Sequence, residues 1–392
     1  MHHHRLVAVL AALVLVAASC GGSDDASLDS ASASTAASDE AEETPSTTAD
    51  EQSSEGGNAG TETDADAEDD GEAEDDPADP DEPEATATVE PVEFPLTVTD
   101  AVGREVTVDR PARIGCYWTG CTEILASLGV VPAAAAIPGG TTETDVFYYP
   151  VGPPEFVVTN INDFEAWAGA DISFIINRGP EGAQDAIIDD FVDRFYLHAP
   201  GLTDTDLTGY DAHIANIRLV GQVTGLPEEA EAAVARLESA IAALGELSTP
   251  ELADRSFAYL FNGEGYRVMT DETPFCAAIA EAAVATCLPL SEGELNAEAF
   301  LQLDPDVIAV QAGFNDVGYT TETRDDPTWD RLSAVQNGTA YDSDDRLYWC
   351  CGPRSLIWAL QDFAAYAIPD SGVPAPGPLA VFDPATSPLV TG

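Results

Sequence analysis

The chain has 392 residues, 45% of them hydrophobic, and a formal net charge of -57 at pH 7. The length suits two folded lobes with additional segments, and the hydrophobic content is sufficient for buried cores. The charge argues against nucleic acid or an anionic lipid surface as a partner, because binding phosphates requires clustered basic residues and this chain has only 14 of them.

The first 20 residues predict an export signal. Arg5 precedes an apolar stretch over 6–18 that is too short for a typical membrane span, and small residues then lead to Cys20. Small residues before a cysteine resemble the bacterial lipobox, in which the cysteine is diacylated and becomes the new N-terminus. We therefore predict a signal peptide over 1–20, a lipid anchor on Cys20 and an extracytoplasmic location. An ordinary secretory signal is the alternative.

Residues 21–93 consist mainly of small, polar and acidic residues and offer little to bury. Such a composition predicts a disordered, extended acidic tether.

The ordered chain starts near Phe94 and shows two rounds of α/β pattern. The first round, 94–226, opens with a β-hairpin over 96–108 and includes a buried strand over 172–176. Pro227 then begins a long helix over 227–247, followed by a second α/β round over 248–370. Alternating strands and helices predict mostly parallel sheets, and the Pro-rich tail over 371–392 is expected to be loose.

Five segments in order resemble the iron-siderophore and cobalamin class of periplasmic solute-binding proteins of ABC importers. They are FPLTVTDAVGREVTVD (94–109), RIGCYWTGCTEILASLG (113–129), NAEAFLQLDPDVIAV (296–310), DPTWDRLSAVQNGTAYD (326–342) and GPRS (352–355). The resemblance implies an α/β fold of two lobes joined by one long rigid helix, with a ligand cleft between the lobes. It implies capture of a ferric siderophore and delivery to the permease, with no enzymatic activity and no cofactor. Cobalamin or haem is the alternative ligand for the same fold, and we expect a monomer.

By position in that family, two loops face the cleft. Aromatic side chains there could stack on a flat ligand, and arginine could bind carboxylate or hydroxamate oxygens. Packing between lobes and a structural salt bridge are the alternatives for Tyr117, Trp118 and Arg354. The candidate ligand-binding residues are Tyr117, Trp118, Tyr148, Tyr149, Arg178, Tyr348, Trp349 and Arg354.

Two acidic residues match the position at which this family docks onto arginines of the permease. Glu165 lies in the first half and Glu298 in the second, each before a turn and a buried strand. Ordinary solvated helix charges are the alternative interpretation.

Six cysteines besides Cys20 favour disulfides in an exported chain. Cys276 and Cys287 are expected to pair across one helical segment. The other four are Cys116, Cys121, Cys350 and Cys351, which could pair within each loop, pair between loops, or bind a soft metal as thiolates.

Other functions have less support in the sequence. His198 and His213 are the only histidines of the mature domain and are too few for a convincing zinc or manganese site, so we predict no metal site. An extracellular thiol/disulfide redox protein is the rival from another class, although the chain has no CxxC motif.

Overall fold

The structure is a computed structural model. It describes residues 89–117, 119–136, 150–159, 163–177, 194–198, 207, 209–260, 266–268, 273–289, 293–312, 323–344 and 352–392. The predicted signal peptide and nearly all of the predicted tether lie outside these residues. Within the described ranges, no helix is both long enough and apolar enough to cross a membrane.

The predicted hairpin is confirmed. Strand β1 (Leu96–Thr99) pairs antiparallel with β2 (Glu105–Val108), and alternation directs Val98 and Val108 into the core. Gly103 occupies a positive φ of 80° in the turn, a conformation that glycine adopts without steric cost.

A five-stranded parallel sheet follows the hairpin. Its strands are β3 (Ile114–Cys116), β4 (Ala134–Ala136), β5 (Phe156–Val158), β6 (Phe174–Asn177) and β7 (Arg194–Tyr196), in the order β5-β4-β3-β6-β7. Helix α1 (Thr119–Ser127) follows β3, and α2 (Phe164–Gly169) precedes β6. Strand β6 corresponds to the strand expected over 172–176. It starts two residues later than predicted and is buried along its whole length.

Two consecutive helices follow in the chain. Helix α3 (Gly209–Thr224) ends before Gly225, and α4 (Pro227–Gly245) begins with proline in its first turn. The two helices contact closely, because a Cβ added at Gly221 would lie 2.4 Å from Cβ of Ala230. A helix of 19 residues thus begins at Pro227, and its role as a rigid link between two lobes stays a prediction.

A second, six-stranded sheet is built from the rest of the chain. The elements are α5 (Pro250–Ala253), β8 (Ser256–Leu260), β9 (Tyr266–Val268), α6 (Pro274–Glu281), β10 (Thr286–Cys287), β11 (Gly293–Leu295), α7 (Ala297–Leu303), β12 (Val307–Ala312), α8 (Ser333–Asn337), β13 (Ala340–Asp344), α9 (Pro353–Ala367) and α10 (Pro388–Thr391). The strand order is β11-β9-β8-β12-β13, with β10 also paired to β8. The pairs of β8 with β10 and β12, and of β12 with β13, are parallel. The α/β class predicted from the sequence is confirmed.

One large hydrophobic cluster contains residues of both sheets and of the helices between them. Ile176 of β6, Leu237 of α4, Phe257 of β8 and Leu360 of α9 all belong to it, and each is at most 1% exposed. Helix α4 thus packs its apolar side into the shared core. The division into two lobes at residues 226 and 248 stays a prediction.

The tail over 371–392 is packed, so our expectation of a loose tail is wrong. Leu379, Phe382 and Leu389 are 7% exposed or less and belong to the large cluster. Trp358 Nε1 of α9 donates to the carbonyl of Gly377 at 2.7 Å. The prediction relied on the proline-rich composition and overlooked a few well-spaced apolar residues. Burial of these side chains offsets the conformational entropy that the segment loses when it is ordered.

Candidate functional site

The segment after β3 is closed by a disulfide. Strand β3 is the central strand of the parallel sheet, and Cys116 at its end is bonded to Cys121 in α1. The carboxyl ends of parallel strands are where open α/β sheets bind ligands. The Cys116–Cys121 disulfide is a pairing within one loop. It uses two of the four cysteine thiolates that the alternative of a soft-metal site requires.

Tyr117 lies inside this segment and is buried, with 4% of its surface exposed. Its backbone N–H donates to the carbonyl of Ile176 at 3.0 Å, and its ring stacks on Trp167 with centroids 6.1 Å apart. Both contacts lie within the first sheet and its helices, so Tyr117 packs inside the first half of the chain, and packing between lobes gains no support from them. The neighbouring Trp118 lies outside the described residues.

The N-terminus of α9 receives a hydrogen-bond acceptor from a distant helix. Glu123 Oε2 of α1 accepts from the backbone N–H of Gly352 at 2.6 Å and from Ser355 Oγ at 2.5 Å. Gly352 is at the N-cap of α9 and has no side chain that could accept a hydrogen bond, and Pro353 in the first turn has no N–H to satisfy. The carboxylate of Glu123 therefore performs the capping that a local serine or aspartate usually performs.

Arg354 follows this cap and is buried, with 2% of its surface exposed. Its Nη1 donates to the carbonyl of Leu379 in the tail at 2.6 Å, and its Nη2 lies 3.8 Å from Glu123 Oε1. These contacts favour the structural salt bridge over the ligand contact that we had also considered.

Burial raises the pKa of Glu123 above its ordinary value, because desolvation penalises the charged carboxylate. The charge of Arg354 and the hydrogen bonds from Ser355 and Gly352 oppose this rise. The carboxylate is thus held by several donors in a region that water does not reach. Sequence reasoning missed Glu123, and its one signal was an acidic residue beside the apolar Ile124 and Leu125 in a helix expected to pack on the sheet.

The two candidate docking residues occupy similar positions in the two halves. Glu165 is exposed in the first turn of α2, and Glu298 is exposed in the first turn of α7. Asp163 caps α2 by accepting from Ala166 N at 3.0 Å, and Asn296 caps α7 by accepting from Ala299 N at 2.8 Å. Each helix leads through a short turn to a buried strand. Their exposure leaves both glutamates accessible to a partner.

The remaining predicted residues divide into two groups. The expected pairing of Cys276 with Cys287 is confirmed. No group of three or more potential metal ligands occurs among the residues that the structure describes. The other predictions lie outside the described residues and concern Cys20, Trp118, Tyr148, Tyr149, Arg178, Tyr348, Trp349, Cys350 and Cys351.

Comparison with known proteins agrees with this architecture. Residues 187–347 match the family model described as periplasmic binding protein. The chain has the fold of the periplasmic binding proteins. A search of the curated proteins finds no match for the chain. This description is that of a binding protein, in agreement with the prediction that the chain is not an enzyme.

Several solved structures share the periplasmic-binding-protein fold with this chain. A protein of the ABC-type Fe³⁺-hydroxamate transport system of Saccharomonospora viridis is 20% identical, with a TM-score of 0.51 over 69% of this chain and 97% of that one. The iron-uptake ABC transporter substrate-binding protein PiuA of Streptococcus pneumoniae is 16% identical, with a TM-score of 0.54 over 70% and 99%. Staphylococcus aureus SirA, complexed with staphyloferrin B, is 15% identical, with a TM-score of 0.53 over 69% and 98%.

Proposed function

We propose that the chain captures a ferric siderophore outside the cytoplasm and delivers it to the permease of an ABC importer. The observation that carries the proposal is the fold match, since the proteins with this fold include one of an Fe³⁺-hydroxamate transport system and one solved in complex with staphyloferrin B. The disulfide-closed segment at the end of β3 supplies a fixed edge for such a ligand. A lipid anchor on Cys20 keeps the protein at the membrane.

Ligand capture depends on the burial of an organic chelate between side chains of the two halves. Such sites are concave and mainly apolar, with a few polar groups that fix orientation. Aromatic side chains suit this role because they contribute large contact area and a π face. Trp118, Tyr348 and Trp349 are our candidates for these contacts. The scarcity of basic side chains argues against a highly anionic tricatecholate, and the aromatic candidates favour a hydroxamate siderophore, with a corrinoid as the alternative.

The delivery step uses the two exposed glutamates. We place Glu165 and Glu298 against arginines of the permease, one from each half of the chain. Their equivalent positions at the starts of α2 and α7 support this assignment. Ion pairs at an interface mainly accelerate encounter and fix orientation, so both residues should matter for delivery and not for ligand affinity.

The test is a titration of the full-length, oxidised protein with ferrioxamine, ferric citrate, cobalamin and haem, followed by tryptophan fluorescence and calorimetry. We expect submicromolar binding of a ferric hydroxamate, weakened at least tenfold by Trp118→Ala. Trp358→Phe is the matched control, because that indole bonds to Gly377 and should leave affinity unchanged. In cells, Glu165→Ala and Glu298→Ala should reduce uptake of the same ligand. If none of the four probes bound to the protein, the proposal would be contradicted.

A further inference from the structure

The tail over 371–392 runs back along helix α9 after a sharp reversal of the chain. Asp370 and Gly372 adopt left-handed φ angles of 56° and 70° there. Between them, Ser371 Oγ donates to the carbonyl of Ala364, in the last turns of α9, at 2.8 Å. The chain therefore changes direction directly after α9, and the reversal is itself fixed to the helix.

Three polar side chains on one face of α9 bind the backbone of the tail. They are Arg354, Trp358 and Gln361, and their spacings of four and three residues place them on one side of the helix. They donate to the carbonyls of Leu379, Gly377 and Pro374 at 2.6, 2.7 and 2.9 Å. The acceptors follow in reverse order, so the tail runs antiparallel to α9. We call these three side chains the α9 stripe.

The bound segment has a composition that suits contacts of this kind. Residues 374–378 have the sequence Pro-Ala-Pro-Gly-Pro, so three of the five lack a backbone N–H and their carbonyls are the polar groups that need partners. Proline also fixes φ in the unfolded chain, which lowers the conformational entropy that the segment loses when it docks. Donors along a helix face and acceptors along a proline-rich chain are therefore complementary.

Gln361 also holds the second part of the tail. Its Oε1 accepts from Ser387 Oγ at 2.9 Å, and both side chains are buried. Ser387 caps α10 by accepting from the N–H of Leu389 at 3.3 Å, and α10 packs against the long helix α4. One glutamine of α9 thus binds two separate parts of the tail, and the tail extends from α9 to α4.

The other end of the α9 stripe reaches helix α1. Arg354 donates through Nη1 to the carbonyl of Leu379, and its Nη2 lies 3.8 Å from Glu123 Oε1. Glu123 Oε2 accepts from the N–H of Gly352 at 2.6 Å. A carbonyl of the tail therefore fixes the guanidinium that faces the buried carboxylate of α1.

We infer that the C-terminal tail is a strap, which ties α9 to α4 directly and to α1 through Arg354. It holds helices from both halves of the chain in one arrangement. The strap is a cooperative unit of its own, because its polar contacts converge on the α9 stripe. It can therefore detach from α9 while both sheets stay folded, and its detachment loosens the contact of α1 with α9. The inference goes beyond the proposed function and involves no ligand.

Native-state hydrogen exchange on the full-length, oxidised protein without ligand tests the strap. Gln361→Leu removes both hydrogen bonds of that side chain and keeps a side chain of similar size. We expect the amides of Val373 and Leu389 in the tail, and of Gly352 at the start of α9, to exchange about tenfold faster, with the hairpin amides unchanged. The matched control is Gln336→Leu in α8, whose side chain also donates to a backbone carbonyl and should change none of these rates.

Each other outcome would contradict a stated part of the inference. Faster exchange in the tail alone, with Gly352 unchanged, would overturn the coupling to α1. Equal acceleration in the hairpin would show a general loss of stability and overturn the strap as a separate unit, and unchanged rates everywhere would show that these bonds do not hold the tail. If Gln361→Leu does not fold, Ser387→Ala removes one donor and should accelerate exchange at the same amides about threefold.

Discussion

The hairpin and the junction of α1 with α9 each bury one carboxylate, but they satisfy it differently. In the hairpin, Asp100 accepts from the backbone N–H groups of Val102 and Arg104 at 3.1 and 2.9 Å, and from the Arg104 guanidinium. A distant donor, the N–H of Tyr196, lies 3.3 Å from Asp100 Oδ2. Most of this network forms within four residues.

At the junction, the donors to the Glu123 carboxylate within the described residues come from more than 200 residues away. The cations also differ, because the Arg104 side chain is 38% exposed whereas that of Arg354 is 2% exposed. Water screens the first ion pair and not the second. A local network stabilises its own turn, whereas the distant one also determines how separate parts of the chain fit together.

The largest effect that distinguishes the two regions should come from deleting residues 371–392. The deletion uncovers the core that Leu379, Phe382 and Leu389 seal, and each fully buried side chain of this kind is worth about 1.5–3 kcal/mol. It also removes the carbonyl that holds Arg354. We expect unfolding in urea to require about 5 kcal/mol less, measured by circular dichroism.

Hydrogen exchange measures which parts of the chain lose stability when the tail is deleted. The amides of Gly352 and Ser355 should lose protection in the truncated chain before those of the hairpin strands do, because the tail contacts α9 directly. Equal loss of protection at both places would break the distinction between the two regions.

The same contrast explains how far the sequence could be interpreted. The hairpin, the helix that starts at Pro227 and the buried strands follow from local periodicity and punctuation, so they could be predicted. Glu123 could not, because nothing near it in sequence indicates that its partners lie at Gly352 and Ser355. The order of the tail could not be predicted for a related reason. Its apolar residues are few, and whether they become buried depends on the surface of α9 against which they pack.

A buried histidine extends the comparison to a group that is neutral when buried. Burial lowers the pKa of His213 in α3 to about 4, and its Nε2 has no hydrogen-bond partner in the part of the chain that the structure describes. The unfolded chain takes up a proton near pH 6.5, whereas the folded chain does so only near pH 4. The stability associated with the neutral imidazole is therefore complete above about pH 6.5 and is lost as the pH falls toward 4.

The expected loss over that interval is about 3 kcal/mol, since one pKa unit corresponds to about 1.4 kcal/mol. Urea unfolding of wild type and His213→Phe between pH 7 and 4 isolates this contribution, because the other titrating groups are common to both proteins. The wild type should lose stability faster as the pH falls. Parallel curves would show that His213 does not titrate differently in the folded state.

Two glycines give the smallest and most local test of the comparison. Gly103 in the hairpin needs its positive φ of 80°, but a Cβ there would meet nothing within 4 Å. Gly352 at the junction has an ordinary φ of -82°, but a Cβ there would clash with Glu123. The hairpin glycine is thus required by backbone conformation, and the junction glycine by space.

Gly103→Ala should cost about 1 kcal/mol of unfolding free energy, the price of one left-handed residue with a side chain, and should leave ligand affinity unchanged. Gly352→Ala should cost about 1–3 kcal/mol by overpacking and should also weaken affinity, because the backbones of α1 and α9 must move apart to admit the methyl group. Chemical denaturation and calorimetry on both variants measure the two quantities together. If Gly352→Ala lowered stability while affinity stayed at the wild-type value, the junction would be a packing contact like any other, and the difference between the two regions would be one of sequence distance alone.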